Sequence, residues 1–293
     1  MKRKLGLKEK KQRLVGILEA YDGLAVAFSG GVDSTFLLAV AKEVLGERVL
    51  AITATSAIHS RTESRAAAAI AMTLGVTHRV VASHEMDLPE FVANPASRCY
   101  VCKRHVMAEV VRIAAEMGIA HVAHGVNVDD LGDFRPGLKA AEEMGLLAPL
   151  VEAGLTKADI RTLSRRMGLT TWNKPSMACL ASRIPYGTVI TPENLGMVEE
   201  AEAFLRGLGF TDCRVRHHGA VARIELTQRD FKKALAAPAR TAIVRRLREV
   251  GFRYVAVDLE GYVMGSLNRA LEGKAPRVQG VEGPSEPKHQ KGH

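Results

Sequence analysis

The sequence predicts an α/β fold, in which a doubly wound parallel sheet is followed by a smaller C-terminal α+β domain. Up to about residue 188, short apolar runs of strand length alternate with helical patterns, which is typical of a parallel sheet with helices on both faces. Beyond that point the pattern changes to a helix, a hairpin and a second helix. We therefore assign residues 1–188 to the first domain, 189–270 to the second and 271–293 to a disordered tail.

Composition limits the classes of protein that fit. With 293 residues and 47% hydrophobic content, the chain is long enough to bury a large core. No apolar run approaches the roughly 20 residues that span a bilayer, and the polar N-terminus is unlike a signal peptide, so we expect a cytoplasmic protein with no membrane partner. There, the four cysteines are expected to be metal or catalytic thiols. The net charge of +9 suits an anionic partner, either a nucleotide or RNA.

The loop after the first predicted strand is typical of a phosphate site. An apolar run ends at Gly30 and Gly31, and a helical pattern follows. Glycines let backbone N–H groups turn toward a ligand, Ser29 and Ser34 add hydroxyls, and the helix N-terminus favours an anion. The loop is not a Walker A loop, because Asp33 stands where that motif has a lysine. An acid beside phosphates predicts a bridging metal ion, here Mg²⁺.

The other elements of the first domain alternate in the same way. We predict strands over 24–28, 49–54, 78–82, 120–125 and 147–150, and helices over 8–20, 34–45, 63–74, 106–117 and from 156 onward. In such a sheet, ligands bind at the carboxyl ends of the strands, where the polar clusters of this sequence fall. The first cluster contains Ser56, His59 and Ser60, which either contact the nucleotide or, as we favour, form a loop and helix cap.

A Cys-x-x-Cys pair, Cys99 and Cys102, follows a long polar loop. Two thiolates at this spacing bind one metal or one iron–sulfur cluster, and the neighbouring Arg98, Lys103 and Arg104 favour ionised sulfur. A thioredoxin-type redox pair is disfavoured, because the motif does not open the first helix of a thioredoxin unit. Two incidental cysteines remain the alternative.

The loop after the strand at 120–125 holds too many charges for a simple turn. Like charges this close repel unless a cation or a ligand lies among them, so we interpret the loop as part of the site. Its polar and glycine residues include Gly125, Asn127, Asp129, Asp130, Asp133 and Arg135.

The segment 172–188 presents a thiol. Two prolines and a glycine exclude a long helix, and Cys179 lies four residues before Arg183. A thiol near a nucleotide site and a cationic side chain is a candidate nucleophile or cluster ligand.

The second domain carries a pair of arginines on one strand. The hairpin predicted over 214–226 places Arg214 and Arg216 on one face, where they fit a phosphate, with a solvated sheet face as the alternative. A helix with proline at its first position precedes this hairpin, and a single helix over 231–250 and a strand over 254–259 follow it. Cys213 has no partner thiol at ligand spacing and is expected to be half-buried.

These motifs together resemble a known family. The first loop is similar to the PP-loop of ATP pyrophosphatases, which cleave ATP between the α- and β-phosphates. The full set resembles the LarE family of ATP-dependent sulfur transferases, over residues from about 10 to about 270. The matching motifs are Ser-Gly-Gly-Val-Asp-Ser at 29–34, Arg-Cys-Tyr-x-Cys-Lys at 98–103, Asp-x-Arg-Pro-Gly at 133–137 and Lys-Pro-x-x-x-Cys-Leu-Ala-Ser-Arg at 174–183.

The resemblance implies a reaction. Members of that family adenylate a carboxylate of pyridinium-3,5-biscarboxylic acid mononucleotide and convert it to a thiocarboxylate of the nickel-pincer nucleotide cofactor. It further implies that Cys179 delivers the sulfur, either from its own side chain, which becomes dehydroalanine, or through a 4Fe-4S cluster held by Cys99, Cys102 and Cys179. We favour the cluster because all three cysteines are present and three ligands leave one iron open for sulfide.

The same resemblance implies the ligand contacts and the assembly. It implies a small-molecule nucleotide substrate and a homo-oligomer, either a dimer or a hexamer. We expect ATP with Mg²⁺ at Asp33, and substrate contacts from Arg183, Arg214 and Arg216. The residues expected to bind ATP are Ala27, Ser29, Gly30, Gly31, Asp33, Ser34, Gly125, Asn127 and Arg135.

Two other functions remain open from the sequence. Some PP-loop enzymes are tRNA thiolases with a three-cysteine cluster, and the charge of +9 suits RNA, although no added RNA-binding domain is visible. A non-catalytic iron–sulfur or nucleotide-binding sensor is the other. Salt-sensitive retention of tRNA would identify the thiolase, and absence of AMP and pyrophosphate formation would identify the sensor.

Overall fold

The main sheet of the computed structural model has four strands, β1 (Leu24–Ala27), β2 (Val49–Thr55), β3 (Thr77–Ala82) and β4 (Val122–His124). Their order is β3-β2-β1-β4 and every neighbouring pair is parallel. The structure describes residues 5–132, 136–175, 178–263 and 266–271. The parallel sheet, its helices and the separate smaller sheet confirm the predicted fold class.

Helices cover both faces of this sheet because alternate residues of its central strands point in opposite directions. None of the described helices combines the length and the apolar character that crossing a bilayer requires. The helices are α1 (Leu7–Glu19), α2 (Val32–Leu45), α3 (Arg61–Thr73), α4 (Pro89–Val92), α5 (Arg98–Glu116), α6 (Pro136–Glu143), α7 (Pro149–Glu152), α8 (Lys157–Arg166), α9 (Pro192–Gly207), α10 (Gln228–Leu235) and α11 (Ala237–Val250).

Strand β1 shows how the two layers form. Leu24 and Val26 pack into a core with α1, α2 and α8, whereas Ala25 packs into a second core with α5. All three side chains are fully buried. A strand buried on both faces needs a continuous apolar run, which is what the sequence has there.

The second sheet contains β5 (Cys213–His218), β6 (Val221–Leu226) and β7 (Tyr254–Val257) in that order. Strands β5 and β6 form the predicted antiparallel hairpin, and β7 pairs parallel to β6. Helix α9 packs against both halves of the chain, since Val198 shares a core with Val101 and Leu205 shares a core with Val215. The division near residue 188 stays a prediction.

Two predicted elements are wrong, and proline explains both. The strand over 147–150 is reduced to one isolated bridge between Ala123 and Leu147, and α7 begins at Pro149 instead. The single helix over 231–250 is split, because Ala236 is extended and Pro238 lies in the first turn of α11. Proline lacks the N–H of a ladder or a helix interior but fits the first helical turn.

The helix that carries the Cys-x-x-Cys pair begins earlier than predicted. We predicted a loop up to residue 106, whereas α5 begins at Arg98 and includes Cys99 and Cys102 in its first turn and a half. Residues three apart on a helix lie on the same side, so both thiols share one face.

Candidate active site

Glycines shape the loop between β1 and α2. Gly30 has a φ of +67°, and a Cβ there would lie 3.0 Å from Ala67 Cα on α3. A Cβ on Gly125, after β4, would lie 2.7 Å from the backbone nitrogen of Ser34. Because only glycine fits either position, the loop and the first turn of α2 meet the end of β4 at close range. The unpaired N–H groups and positive dipole end of α2 therefore lie at the carboxyl edge of the sheet, as an anion site requires.

Two serine hydroxyls close this loop. Ser29 Oγ lies 3.2 Å from Ser34 Oγ, and Ser34 Oγ donates to the carbonyl oxygen of Gly31 at 3.3 Å. Because each hydroxyl carries a single O–H donor, both hydroxyls must rotate away from these partners to donate to a phosphate oxygen beside the loop.

Asp33 lies in the first turn of α2 and forms an ion pair with Lys157. Its Oδ1 is buried and accepts no hydrogen bond from the described residues. Burial raises the pKa of Asp33, with Asp130 adding to the rise and Lys157 opposing it. A buried carboxylate oxygen without a donor is a suitable ligand for a hard cation, so the residues present fit a Mg²⁺ ion.

The acidic loop after β4 is braced against α8. Asn127 Nδ2 donates to Asp130 Oδ2 at 2.8 Å, and the backbone N–H of Lys157 donates to Asp129 Oδ2 at 2.9 Å. Thr156 and Asp159 form the capping box of α8 at the same place. Two of the predicted charges, Asp133 and Arg135, lie outside the described residues.

Two adjoining clefts open at the loop. The first has a volume of about 320 Å³ and is lined by Phe28, Ile52 and Thr53 on the sheet side and by Cys179. The second has a volume of about 650 Å³ and extends past Asn127 toward Arg214. The residues that line both clefts are Ala27, Ser29, Gly31, Asp33, Lys103, Lys157 and Pro175.

The first polar cluster lies at the wall of the smaller cleft. His59 lines that cleft, and burial lowers the pKa of His59. Ser56 donates from its hydroxyl to Glu85, a fully buried acid. Ser60 is the N-cap of α3, although its side chain makes no capping hydrogen bond. The favoured interpretation as a loop and cap fits these positions, and contact between His59 and the nucleotide stays a prediction.

Three thiols lie near one another beside the smaller cleft. Burial raises the pKa of Cys102, and the charges of Cys179, Glu85 and Cys99 add to the rise. Burial also raises the pKa of Cys179, which Arg98 lowers and Cys99 raises. Each of these three thiols therefore lies within electrostatic range of the other two. The fourth thiol, Cys213, is fully buried in the core of the second sheet, so the expected half-burial is wrong.

The loop carrying Cys179 is held from several directions. The N–H of Leu180 donates to Ile58 O at 2.8 Å, and Arg183 Nη1 donates to Ala178 O at 2.7 Å. Arg183 is 1% exposed and its guanidinium also pairs with Glu202 on α9. Arg183 thus fixes the backbone beside Cys179, and the substrate contact predicted for it stays a prediction.

Three cysteine thiols are a donor set that an iron–sulfur cluster can use, and the cluster itself stays a prediction. No group of three or more His, Cys, Asp or Glu side chains within the described ranges is arranged to hold one metal ion. A cluster is several ångströms wide, so the thiolates that bind its corners need not converge on a single point. Arg98, Lys103 and Arg183 supply positive charge around the sulfurs, which favours thiolates once a metal binds.

The two arginines of β5 differ in their surroundings. Arg214 lines the larger cleft, with its guanidinium carbon 5.0 Å from the centre of the Tyr262 ring. Arg216 is paired with Glu225 through two hydrogen bonds of 2.9 and 2.8 Å, and its Nη1 donates to Ser182 O at 2.8 Å. Arg216 therefore links the second sheet to the Cys179 loop.

Several residues in or near the clefts were not predicted as site residues from the sequence. Lys157 looked like an ordinary residue of a helix N-terminus, and Glu85 lies in a segment without a motif. Lys174 belongs to a quoted motif, yet only the fold reveals that its Nζ donates to Gly30 O at 2.9 Å. A long-range contact of this kind leaves no local pattern in the sequence.

Comparison with known proteins first defines the class. Residues 18–102 match a family model described as asparagine synthase. A GMP synthase (glutamine-hydrolyzing) of Aeropyrum pernix is 30% identical over 208 residues, which are 64% of this chain and 40% of that protein. With the glycine loop at the end of β1, these matches define an ATP-using enzyme of the PP-loop class.

Longer matches then define the family. The pyridinium-3,5-bisthiocarboxylic acid mononucleotide synthase of Lactiplantibacillus plantarum is 38% identical over 266 residues, 90% of this chain and 96% of that protein. An uncharacterized protein of a Synechocystis strain is 41% identical over 265 residues, 90% of this chain and 99% of that protein. The chain belongs to the LarE family of ATP-dependent sulfur transferases.

Proposed function

We propose that this enzyme adenylates a carboxylate of pyridinium-3,5-biscarboxylic acid mononucleotide and replaces one of its oxygens with sulfur. The observation that carries the proposal is that Cys179 lines the same 320 Å³ cleft as Ser29 and Asp33 of the phosphate loop. The relative from Lactiplantibacillus plantarum is named for the doubly thiolated form of this mononucleotide. The sulfur of Cys179 and a carboxylate activated at the phosphate loop would thus lie in the same cleft.

The phosphate loop performs the activation. A carboxylate is a poor electrophile until one of its oxygens becomes part of a leaving group, and adenylation by ATP supplies AMP for that purpose. The carboxylate oxygen attacks the α-phosphorus, and pyrophosphate departs with the bonding electrons. The N-terminus of α2, with Ser29 and Ser34, would hold the pyrophosphate, and Asp33, whose Oδ1 is buried without a donor, would hold Mg²⁺.

Sulfur transfer uses the thiol side of the cleft. In the version without a cluster, the Cys179 thiolate attacks the acyl-adenylate, AMP leaves, and a thioester forms. Loss of the Cα proton to a base then breaks the Cβ–S bond, which leaves dehydroalanine and the thiocarboxylate. In the version we favour, Cys99, Cys102 and Cys179 would hold a 4Fe-4S cluster, which would supply a sulfide to the acyl-adenylate while AMP leaves.

The experiment that tests the proposal follows two products separately. Protein prepared without oxygen is incubated with ATP, Mg²⁺ and the mononucleotide, and pyrophosphate release and thiocarboxylate formation are measured. We expect both products from the wild type. Cys179→Ala is expected to release pyrophosphate without forming thiocarboxylate, and Cys213→Ala serves as a matched control because that thiol lies outside the clefts.

Other outcomes point to the remaining functions. Without pyrophosphate and AMP from the wild type, the proposal fails in favour of a non-catalytic binding protein. Retention of tRNA that weakens steeply with salt, together with thiolated tRNA, would favour the thiolase instead.

A further inference from the structure

Lys103 lies where the two clefts join. It lines both of them together with residues of the phosphate loop, and it comes directly after Cys102 on α5. None of the described residues accepts a hydrogen bond from its ammonium group or forms an ion pair with it. An ammonium group carries three donors, so this lysine reaches the clefts with its donors available.

Two other lysines line the clefts, Lys157 both of them and Lys174 the smaller one, and each already has a partner. Lys157 is paired with Asp33, and Lys174 donates to the carbonyl oxygen of Gly30 at 2.9 Å. Both hold parts of the loop in place. Among the described residues, Lys103 therefore differs from these two lysines in having no hydrogen-bonded or ion-paired partner, although Cys99 and Cys102 lie within range of its charge.

The stem of Lys103 is fixed by packing. Helix α6 approaches it so closely that a Cβ on Gly137 would lie 3.3 Å from Lys103 Cβ and 3.4 Å from Lys103 Cγ. The same Cβ would lie 3.4 Å from the carbonyl oxygen of Cys99. A glycine at 137 thus lets α6 lie against the aliphatic part of Lys103, which restricts where the ammonium group can go.

We propose that Lys103 is a catalytic residue of the adenylation step, in which its ammonium donates hydrogen bonds to the α-phosphate of ATP. This inference rests on the proposed function. As the carboxylate oxygen bonds to the α-phosphorus and the bond to the bridging oxygen breaks, negative charge is crowded onto the α-phosphate oxygens. A fixed cation beside those oxygens stabilises them, and pyrophosphate leaves with the bonding electrons.

The first test compares Lys103→Met, which keeps most of the stem, with Lys103→Arg, which keeps the charge. We expect Lys103→Met to lower kcat for substrate-dependent pyrophosphate release about a hundredfold, with a smaller change in KM for ATP. We expect Lys103→Arg to recover part of that loss. Cys179→Ala should keep pyrophosphate release, which separates a role in adenylation from a role in sulfur transfer. Lys139→Met on the exposed side of α6 is the matched control.

A second measurement does not depend on turnover. Binding of AMP and of adenosine is measured by calorimetry on wild type and Lys103→Met. We expect the variant to bind AMP about tenfold more weakly and adenosine unchanged, because only AMP has the phosphate. If the wild type releases no pyrophosphate, the proposed function fails. The loss of AMP binding relative to adenosine binding in Lys103→Met still tests whether Lys103 contacts the α-phosphate.

Two results would overturn the inference. One is pyrophosphate release by Lys103→Met within threefold of the wild-type rate. The other is equal loss of AMP and adenosine binding together with a lowered unfolding temperature in both variants, which would assign Lys103 a purely structural role.

Discussion

Arg214 and Arg216 occupy equivalent positions on one face of β5 but have different partners. Arg214 lies at the larger cleft against Tyr262, whereas Arg216 is held by Glu225, a residue that is 1% exposed. We expect Arg214→Met to raise KM for the mononucleotide about tenfold, because a charge-assisted contact to its phosphate is lost. Steady-state kinetics with varied mononucleotide measures this, and the unfolding free energy should change little.

Arg216→Met should behave in the opposite way. Removing this guanidinium leaves the buried Glu225 with the half-exposed Arg223 at 3.3 Å and the Ser266 hydroxyl at 3.4 Å, so we expect a loss of about 3 kcal/mol in the free energy of unfolding, measured in urea. A variant as stable as the wild type but with a raised KM would instead mean that both arginines bind the phosphate, as the sequence alone suggested.

At the scale of single residues, the sequence predicted which residues belong to the site better than it predicted which side chains they contact. Glycines and hydroxyls after an apolar run predict a phosphate loop because their local geometry is sufficient for one. The sequence also drew attention to Arg183, but its partner Glu202 lies 19 positions away on another helix. Which arginine meets a ligand and which meets a buried acid depends on tertiary packing, and no local pattern records it.

At the scale of elements, a clasp joins the start of α5 to the segment after the Cys179 loop. Asn94 is fully buried with a φ of 56°, and its Nδ2 donates to Pro185 O at 2.7 Å and Thr188 O at 2.9 Å. Its Oδ1 accepts from Arg98, the first residue of α5. The clasp therefore sets the distance between the helix with Cys99 and Cys102 and the loop with Cys179.

Asn94→Ala should loosen this clasp. We expect a loss of about 2–4 kcal/mol in unfolding free energy, because buried carbonyls lose their donor and alanine is strained at positive φ. Asn94→Gly also lacks the side-chain hydrogen bonds, but glycine is not strained at positive φ. We therefore expect it to be about 1 kcal/mol more stable than Asn94→Ala. Thiocarboxylate formation should fall more than pyrophosphate release, measured in one assay. Equal falls in both rates would show that the clasp does not act on the thiols in particular.

Helix α9 is tied to the Cys179 loop by a buried ion pair with a predictable response to pH. Burial alone would raise the pKa of Glu202, yet the charge and hydrogen bonds of Arg183 lower it on balance. The ionised carboxylate therefore stabilises the fold above the ordinary glutamate pKa of 4.5, and this contribution is lost as the pH falls below that value toward the lowered pKa of the folded state.

Urea unfolding of Glu202→Gln between pH 7 and pH 3 checks this. We expect the variant to be less stable at pH 7 by about 3–5 kcal/mol, because Arg183 is left buried without its counter-charge, and to lose less stability than the wild type on acidification. Glu200→Gln is the control on the same helix, since its ion pair with Arg246 is exposed. Parallel pH profiles for wild type and Glu202→Gln would contradict the assignment.

Elements with a regular period were predicted best. The buried strands β1 and β2 and the hairpin β5–β6 follow from apolar runs and alternation. The element over 147–150 was mistaken because a short apolar run fits a strand and a buried helical turn equally well, and Pro149 decides for the helix. The start of α5 was missed because half of residues 98–105 are basic and the rest form no apolar run of helical period, and tertiary contacts such as the clasp hold them helical.

At the scale of the whole molecule, the three thiols come from two distant parts of the chain and meet only in the complete fold. The Cys-x-x-Cys spacing predicts two ligands, but the approach of Cys179, 77 residues after Cys102, depends on the contacts of residues 178–190 with α4, α5 and α9. These contacts all lie within one chain and do not test assembly, so the dimer or hexamer stays a prediction.

Because the three thiols lie close together, the iron content of the folded chain distinguishes a cluster from sulfur donation by Cys179 itself. We expect about four irons and a matching amount of acid-labile sulfide per chain in protein purified without oxygen, since three thiolates that interact with one another suit a 4Fe-4S cluster with one open iron. Cys99→Ala, Cys102→Ala and Cys179→Ala should each lose most of the iron, whereas Cys213→Ala should keep it because its thiol is buried in the other core. Iron that survives in Cys179→Ala would exclude Cys179 as a cluster ligand. Iron absent from every sample, with dehydroalanine at position 179 after one turnover, would assign the transferred sulfur to Cys179 itself.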